Sequence, residues 1–463
     1  MKILMVCAEF APWAKTGGLA DAVAGLSDAL AASGHDVRVL LPKYSHLAGT
    51  LDAGAIDGTG GPYRLGGLEP ERKGARVLLL DLAELTADGI YTGDARDAGR
   101  FLRLAAAAAA FGAADGWRPH VVHCHDWHAA LTPVFQRRRR NATPSVLTLH
   151  NVGYQGVFPD TVLREHGFAE LEGLLPADAR SGGTVNFLRA GIRTADRVTT
   201  VSPTYATEIR RPEFGMGLED ALAARGADLV GILNGVDYGV WSPASDPFLA
   251  ERYDARDLAP KRRIKSRLIE RLGLARDADA PLIGVVSRLA AQKGIDLVTA
   301  ALPTLLATTR ANFAVLASGE ASLATELGRL ATANRDRVSF TEGHDEPLAH
   351  EILAGCDLTL VPSRYEPCGL TQLYALRYGT IPVVRATGGL ADTVQHYDPA
   401  TGRGTGSVFR DADPQGLLWG VHTALGWFAD RAAWARLVAN AMSADFSWQR
   451  QVPQYQELYR SLL

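Results

Sequence analysis

Short apolar runs alternate along the chain with segments in which apolar residues return every three or four positions. Residues 3–6, 37–41, 77–80, 121–123, 146–149 and 198–201 read as strands of a first half, and residues 282–286, 313–317, 338–340, 358–361 and 381–384 as strands of a second. The runs are continuous rather than alternating, as in parallel strands covered on both faces. Between the first two strands, Leu19, Val23, Leu26 and Leu30 share one helical face over residues 19–32, and Gly34 follows as a C-terminal cap. That is one βαβ unit, with a right-handed crossover expected. Repeated through both halves, the pattern predicts an α/β protein of two doubly wound, Rossmann-like domains. Ligands of such sheets sit at the carboxyl ends of the strands. The turn Asn234-Gly235-Val236-Asp237, then Trp241-Ser242-Pro243 and Pro247, place a hinge near 238–245. A charged helix over 261–271 follows. The glycine- and proline-rich stretch 49–74 reads as loop.

Two turns carry the first chemical signal. Lys15-Thr16-Gly17-Gly18-Leu19-Ala20-Asp21 follows the first strand, and Thr387-Gly388-Gly389-Leu390-Ala391-Asp392 follows the run 381–384. Glycines at a strand-to-helix turn let the backbone approach a ligand, and the unpaired N–H groups of a helix start attract anions. Lys15 adds a positive charge. Two such turns in two halves predict a phosphate-bearing ligand held between two α/β domains.

Bulk properties narrow the classes. The chain has 463 residues, 47% hydrophobic and 21% charged, which fits a soluble protein of two large α/β domains. A net charge of −3 gives no support to a nucleic-acid or membrane-surface role. The one dense basic cluster, 137–140, reads as a solvated helix end. Cys7, Cys124, Cys356 and Cys368 form no CxxC pair, so reduced thiols in a cytoplasmic enzyme are expected. No apolar stretch approaches the roughly 18 residues of a membrane span, and residues 3–8 are too short for a signal-peptide core.

Four further clusters end predicted strands: His123-Cys124-His125-Asp126-Trp127-His128; His150-Asn151 leading into Gly153-Tyr154-Gln155-Gly156; Ser287-Arg288-Leu289 with Gln292-Lys293-Gly294; and Ser363-Arg364-Tyr365-Glu366-Pro367-Cys368-Gly369-Leu370-Thr371. Taken singly, a His or Asp at a strand end is more often a helix cap or a satisfied hydrogen-bond partner. Successive positions of one strand point to opposite faces, so His123, His125 and Asp126 are not expected to share a metal ion. What raises these clusters together is that each falls at a carboxyl strand end, where both domains are expected to open on one cleft.

With these motifs, the chain resembles the bacterial glycogen synthase and plant starch synthase family, whose members transfer glucose from ADP-glucose to α-1,4-glucans. The likeness runs from Met1 to Phe446-Ser447-Trp448 and the terminal helix. The Lys15–Asp21 and Glu366–Thr371 motifs are its most specific parts. The resemblance implies the GT-B fold, two Rossmann-like domains facing across a cleft: residues 1–240 on the acceptor glucan side, residues 241–445 on the nucleotide-sugar side, and the terminal segment 446–463 packed back on the first. It implies a retaining hexosyltransferase that adds glucose to the non-reducing end of glycogen by front-face attack, with no cofactor and no metal.

Residue by residue, the resemblance puts Arg288 and Lys293 on the diphosphate, and His150 and Glu366 along the donor sugar. Lys15, the Gly18 amide, Asn234, Cys368 and the Gly369-Leu370-Thr371 amides belong to donor binding. Asp21, Asp126 and Asn151 are candidates for sugar hydroxyls. Arg288, Lys293, Glu366, His150 and Asp126 form the catalytic set. One departure stands out: where many bacterial members carry a tyrosine able to stack on adenine, His344 occupies the spot with less ring area. Weaker adenine discrimination is therefore expected. Two rival readings remain. One is a sucrose- or trehalose-type GT-B transferase, or one using UDP-glucose; such groups usually lack the lysine of the first turn. The other is a non-catalytic glucan-binding scaffold, which would be expected to have lost Glu366, Arg288 or Lys293.

Overall fold

The computed structural model describes residues 1–47, 51–58, 61–68, 74–81, 89–111, 116–140, 142–277 and 279–463. It divides into two compact units, one of Met1–Gly235 with Trp448–Leu463, the other of Val236–Ser447.

The first unit is built on a nine-stranded sheet. Its strands are β1 (Lys2–Val6), β2 (Asp36–Pro42), β3 (Leu51–Gly58), β4 (Gly61–Gly67), β5 (Arg76–Asp81), β6 (Val121–His125) and β7 (Ser145–Leu149). A small separate sheet holds β8 (Val157–Pro159), β9 (Arg180–Ser181) and β10 (Thr184–Asn186); β11 (Arg197–Thr200) and β12 (Leu229–Gly231) then complete the large one. The large sheet runs β12-β11-β7-β6-β1-β2-β5-β4-β3. All its pairings are parallel except β3 with β4 and β4 with β5. Strand order reverses between β1 and β6, which pair with each other. The exits of those two strands therefore form the switch point at which doubly wound sheets bind ligands.

The β3–β4 hairpin occupies much of the stretch read as loop, apart from its undescribed residues. Glycine-rich strands carry no β-branched run to reveal them. They exist because they extend the edge of a sheet, with Ile56, Tyr63 and Leu65 buried in the core. The helix Gly18–Ala32 buries Val23, Leu26 and Leu30 and ends at Gly34, which has φ +85°.

The helix Trp448–Arg460 packs into the same unit. Trp448, Val452, Tyr455, Leu458 and Tyr459 join the core of β1, β2 and the helix Gly18–Ala32. The fit is close: a Cβ on Gly25 would fall 2.0 Å from Trp448 Nε1.

The second unit has a six-stranded, wholly parallel sheet of β13 (Leu282–Leu289), β14 (Asn312–Gly319), β15 (Val338–Glu342), β16 (Leu358–Val361), β17 (Ile381–Arg385) and β18 (Ser407–Phe409). The order β15-β14-β13-β16-β17-β18 is the Rossmann order, third-second-first-fourth-fifth-sixth. Its switch point lies between β13 and β16. The expected charged helix is present as Ala259–Arg271. Its Lys261 is buried, and its Nζ donates to the Ala354 and Cys356 carbonyls and to Thr380 Oγ1.

Candidate functional site

In the second unit the switch point is occupied by two loops locked together. The loop leaving β13 carries Arg288, Gln292 and Lys293; the loop leaving β16 carries Ser363 to Thr371. Gly294, with φ +65°, allows the close approach, since a Cβ there would lie 2.2 Å from the Pro362 carbonyl oxygen. Gln292 laces the loops: its carbonyl accepts from the Arg364 amide at 2.8 Å and its Nε2 donates to the Tyr365 carbonyl at 3.3 Å. Lys293 Nζ then meets Glu366 Oε2 at 2.7 Å, and Ser363 Oγ donates to the same oxygen at 2.8 Å. Glu366 is buried, so its carboxylate is held by charge-assisted bonds in a setting poor in water. Arg288 is exposed and reaches Gln292 Oε1 at 3.4 Å.

The loop continues through buried Cys368 and through Gly369 and Leu370 into the helix Thr371–Arg377. The N-cap residue of that helix, Leu370, supplies no side-chain capping bond to its first amides. The second Gly-Gly turn serves this loop directly. The Gly389 amide donates to the Glu366 carbonyl at 3.0 Å, and a Cβ at Gly389 would lie 2.1 Å from the Cys368 carbonyl oxygen. The expected close approach at this glycine is thus to the neighbouring backbone. His344 lies apart from the pair, exposed after β15, next to Asp345, which caps the helix Glu346–Gly355.

In the first unit, the turn after β1 places Lys15, Gly18 and Asp21 together. Lys15 Nζ pairs with Asp21 Oδ1 at 3.0 Å on the first turn of the helix. Asp126 starts a short helix after β6 with φ +54°, a conformation non-glycine residues adopt at a cost. Its Oδ1 accepts from the His150 amide at 2.7 Å, which ties the β6 exit to the β7 exit. Burial raises the Asp126 carboxyl to about 7, against the pull of the His150 and Asn151 amides and with help from the Glu9 charge. Asn151 closes its own turn, its Oδ1 accepting from the Gly153 amide at 2.9 Å. Asn234 is buried three residues beyond β12.

The histidines correct one geometric expectation. His123 and His125 are two positions apart and share a face, with ring centroids 4.3 Å apart. They form a hydrogen-bonded row: His123 bonds Tyr459 Oη at 2.7 Å and Thr148 Oγ1 at 2.6 Å, and His125 Nδ1 meets His150 Nε2 at 3.1 Å. Burial holds His123, His128 and His150 down at about 3 and His125 well below its ordinary value, so all four are neutral near pH 7. Among the described residues no group of three or more His, Cys, Asp or Glu is placed to hold a metal ion.

Sequence reasoning missed Glu9 and Tyr91 as members of these sites. Glu9 had a signal, an acid directly following a buried strand. Tyr91 had none, because its partner lies 82 positions away.

Comparison with known proteins bears directly on these loops. Residues 2–224 match the starch synthase catalytic domain family and residues 267–434 match the glycosyl transferases group 1 family. The glycogen synthase of Anaeromyxobacter sp. is 45% identical over 489 residues, which span 100% of this chain and 99% of that one. That of Rhodospirillum rubrum is 43% identical, with the same coverage of both chains. The solved catalytic domain of Starch Synthase IV from Arabidopsis thaliana, bound to ADP and acarbose, matches with a TM-score of 0.90 at 34% identity, covering 100% of this chain and 99% of that one. A sucrose-phosphate synthase from Thermosynechococcus elongatus, at 21% identity and a TM-score of 0.63, shares the fold alone. The chain belongs to the glycogen synthase and starch synthase family, with the GT-B fold of that family, and is a hexosyltransferase with glycogen synthase function.

Proposed function

We propose that the donor is ADP-glucose, that the acceptor is the non-reducing end of an α-1,4-glucan, and that the α configuration is retained. The observation that carries this reading is the Lys293–Glu366 pair at the switch point of the second sheet, with Arg288 on the same loop. The relative solved with ADP and acarbose supports a nucleotide and a glucan-like ligand for this fold.

The bond from glucose C1 to the diphosphate oxygen breaks, and its electron pair leaves with the diphosphate. Arg288 and Lys293 neutralise the charge that grows there, and the amides of Gly369, Leu370 and Thr371 add dipolar stabilisation. On the first unit, Lys15 and the Gly18 amide bind the donor, Asn234 holds the donor sugar, and Asp21 binds sugar hydroxyls. Glu366 faces the electron-poor sugar and orients its hydroxyls. His150 is neutral, so it hydrogen-bonds the sugar rather than balancing charge. Asp126 acts by holding the His150-Asn151 peptide in place. The acceptor hydroxyl attacks C1 from the departing side and passes its proton to the leaving diphosphate, giving ADP and a glucan longer by one residue. Residues 1–240 are the acceptor side, residues 241–445 the nucleotide side, and the reaction is cytoplasmic and needs no metal.

The test is transfer of labelled glucose from ADP-glucose and from UDP-glucose onto glycogen, with a chelator present. Label incorporated from ADP-glucose and released by an α-1,4-specific glucosidase is the expected result. Absence of transfer from either donor, or label resistant to that enzyme, would overturn the reading.

A further inference from the structure

Glu9 leaves β1 into the turn that bears Lys15 and Gly18, and it is 4% exposed. Its Oε2 accepts from the Thr16 amide at 2.7 Å and the Gly17 amide at 3.1 Å, and its Oε1 accepts from Tyr91 Oη at 2.6 Å. A carboxylate removed from water is tolerated only when its oxygens are engaged. The same three bonds run the other way as constraints on the chain. Two consecutive amides are drawn onto Glu9 immediately before Gly18 begins the helix Gly18–Ala32. Gly17 is extended, with φ −162° and ψ −163°, and supplies no side-chain cap, so at Thr16 and Gly17 the backbone amides are held by Glu9. Tyr91 carries the constraint onward. Its ring stacks on His128 with centroids 5.1 Å apart, in the short helix opened by Asp126. One carboxylate thus links the exits of both strands that flank the switch point of the first sheet.

We propose that Glu9 is a positioning residue for glucosyl transfer, holding the Lys15-Thr16-Gly17-Gly18 turn in its donor-ready form through the Thr16 and Gly17 amides, with Tyr91 as the third donor. The proposal rests on the reading of that turn as part of the donor site.

The test compares Glu9→Ala, Glu9→Gln, Tyr91→Phe and Lys15→Ala in the full chain, by steady-state kinetics with ADP-glucose and glycogen and by hydrogen exchange at the Thr16 and Gly17 amides. In Glu9→Ala, exchange at both amides should accelerate at least 100-fold and kcat should fall at least 30-fold. Glu9→Gln keeps a carbonyl acceptor and should recover at least a third of the activity. Tyr91→Phe keeps the ring on His128 and should lose three- to tenfold in kcat with its melting temperature within about two degrees of the parent. A kcat within twofold of the parent in Glu9→Ala would overturn the proposal. So would an unchanged Tyr91→Phe where Glu9→Ala fails to fold. If Lys15→Ala also leaves kcat and KM unchanged, the failure belongs to the reading of the turn; if Lys15→Ala is impaired and the Glu9 variants are not, only the positioning role fails.

Discussion

Glu366 and His344 mark the two extremes of what a single side chain contributes here. Glu366 is buried, receives Lys293 and Ser363 on one oxygen, and has its own carbonyl bound by the Gly389 amide. Every neighbour constrains it, which is why its motif is among the most specific in the sequence. His344 is exposed on a loop after the edge strand β15, and its ring is smaller than a tyrosine's. We propose that His344 is the residue that stacks on the donor base, where its smaller area weakens selection for adenine by about 1 kcal/mol or less. The expected ratio of kcat/KM for ADP-glucose to that for UDP-glucose is below tenfold, and it should rise by up to about fivefold in His344→Tyr. A ratio of tenfold or more in the parent chain would contradict this. Among the residues named from sequence, those in contiguous motifs at strand exits were legible because strand, turn and ligand-facing side chain are encoded side by side. Glu9 and Tyr91 were not, since their role comes from a contact between distant segments.

At the scale of elements, β6 and the terminal helix form one buried polar seam. Tyr459 Oη hydrogen-bonds His123 Nδ1 across more than 300 positions of sequence. Removing that one hydrogen bond in Tyr459→Phe should destabilise the protein by about 1 kcal/mol, read from the denaturant midpoint. Deleting residues 448–463 exposes Trp448, Tyr455 and Tyr459 partners in the core and should abolish cooperative unfolding of the first unit. Unchanged stability in the deletion would refute the packing argument.

The histidines also fix a pH dependence. Four are held neutral when folded: burial lowers His123, His128 and His150 to about 3 and His125 well below its ordinary value, against about 6.5 unfolded. Their contribution is present above about pH 6.5 and is lost as pH falls, because the unfolded chain takes up protons that the folded one refuses, at about 1.4 kcal/mol per proton and pH unit. Asp126 has the opposite sign: its folded value of about 7 means its contribution declines as pH rises from about 4 to 7. Four groups outweigh one, so the melting temperature should drop between pH 7.5 and 5. The drop should be shallower in His128→Phe, which keeps a ring among Tyr91, Phe101 and Trp127 and removes a buried Nδ1 that has no partner. An equally steep drop in that variant would contradict the assignment.

The same scale shows where sequence reading runs short. The central parallel strands were legible from their continuous apolar runs. The hairpin β3–β4 and the short strands β8 to β10, β12 and β18 were not, because their pairing is supplied by neighbours already in the sheet rather than by their own residues.

For the whole molecule, the repeated βαβ pattern foretold two α/β halves, and full-length likeness to glycogen synthases identifies the family. The first crossing, at Gly235–Val236, lies a few residues before the hinge read at 238–245, because turn residues extend on both sides of it; the return at Ser447–Trp448 lies within two residues of the start at 446 implied by the family resemblance. Both sheets place their chemistry-bearing loops at the switch point of strand order. In the second, the loops leaving β13 and β16 are locked so that Lys293 meets Glu366, with Arg288 on the same loop as Lys293.

We propose that Lys293 and Arg288 act on charge that grows as the diphosphate leaves. The most direct test is steady-state kinetics of Lys293→Ala with ADP-glucose and glycogen. The account predicts a kcat lower by about 100- to 1,000-fold, with KM for the donor within about threefold of the parent. A KM raised by that same factor with kcat retained would instead make Lys293 a ground-state binding group and contradict the account.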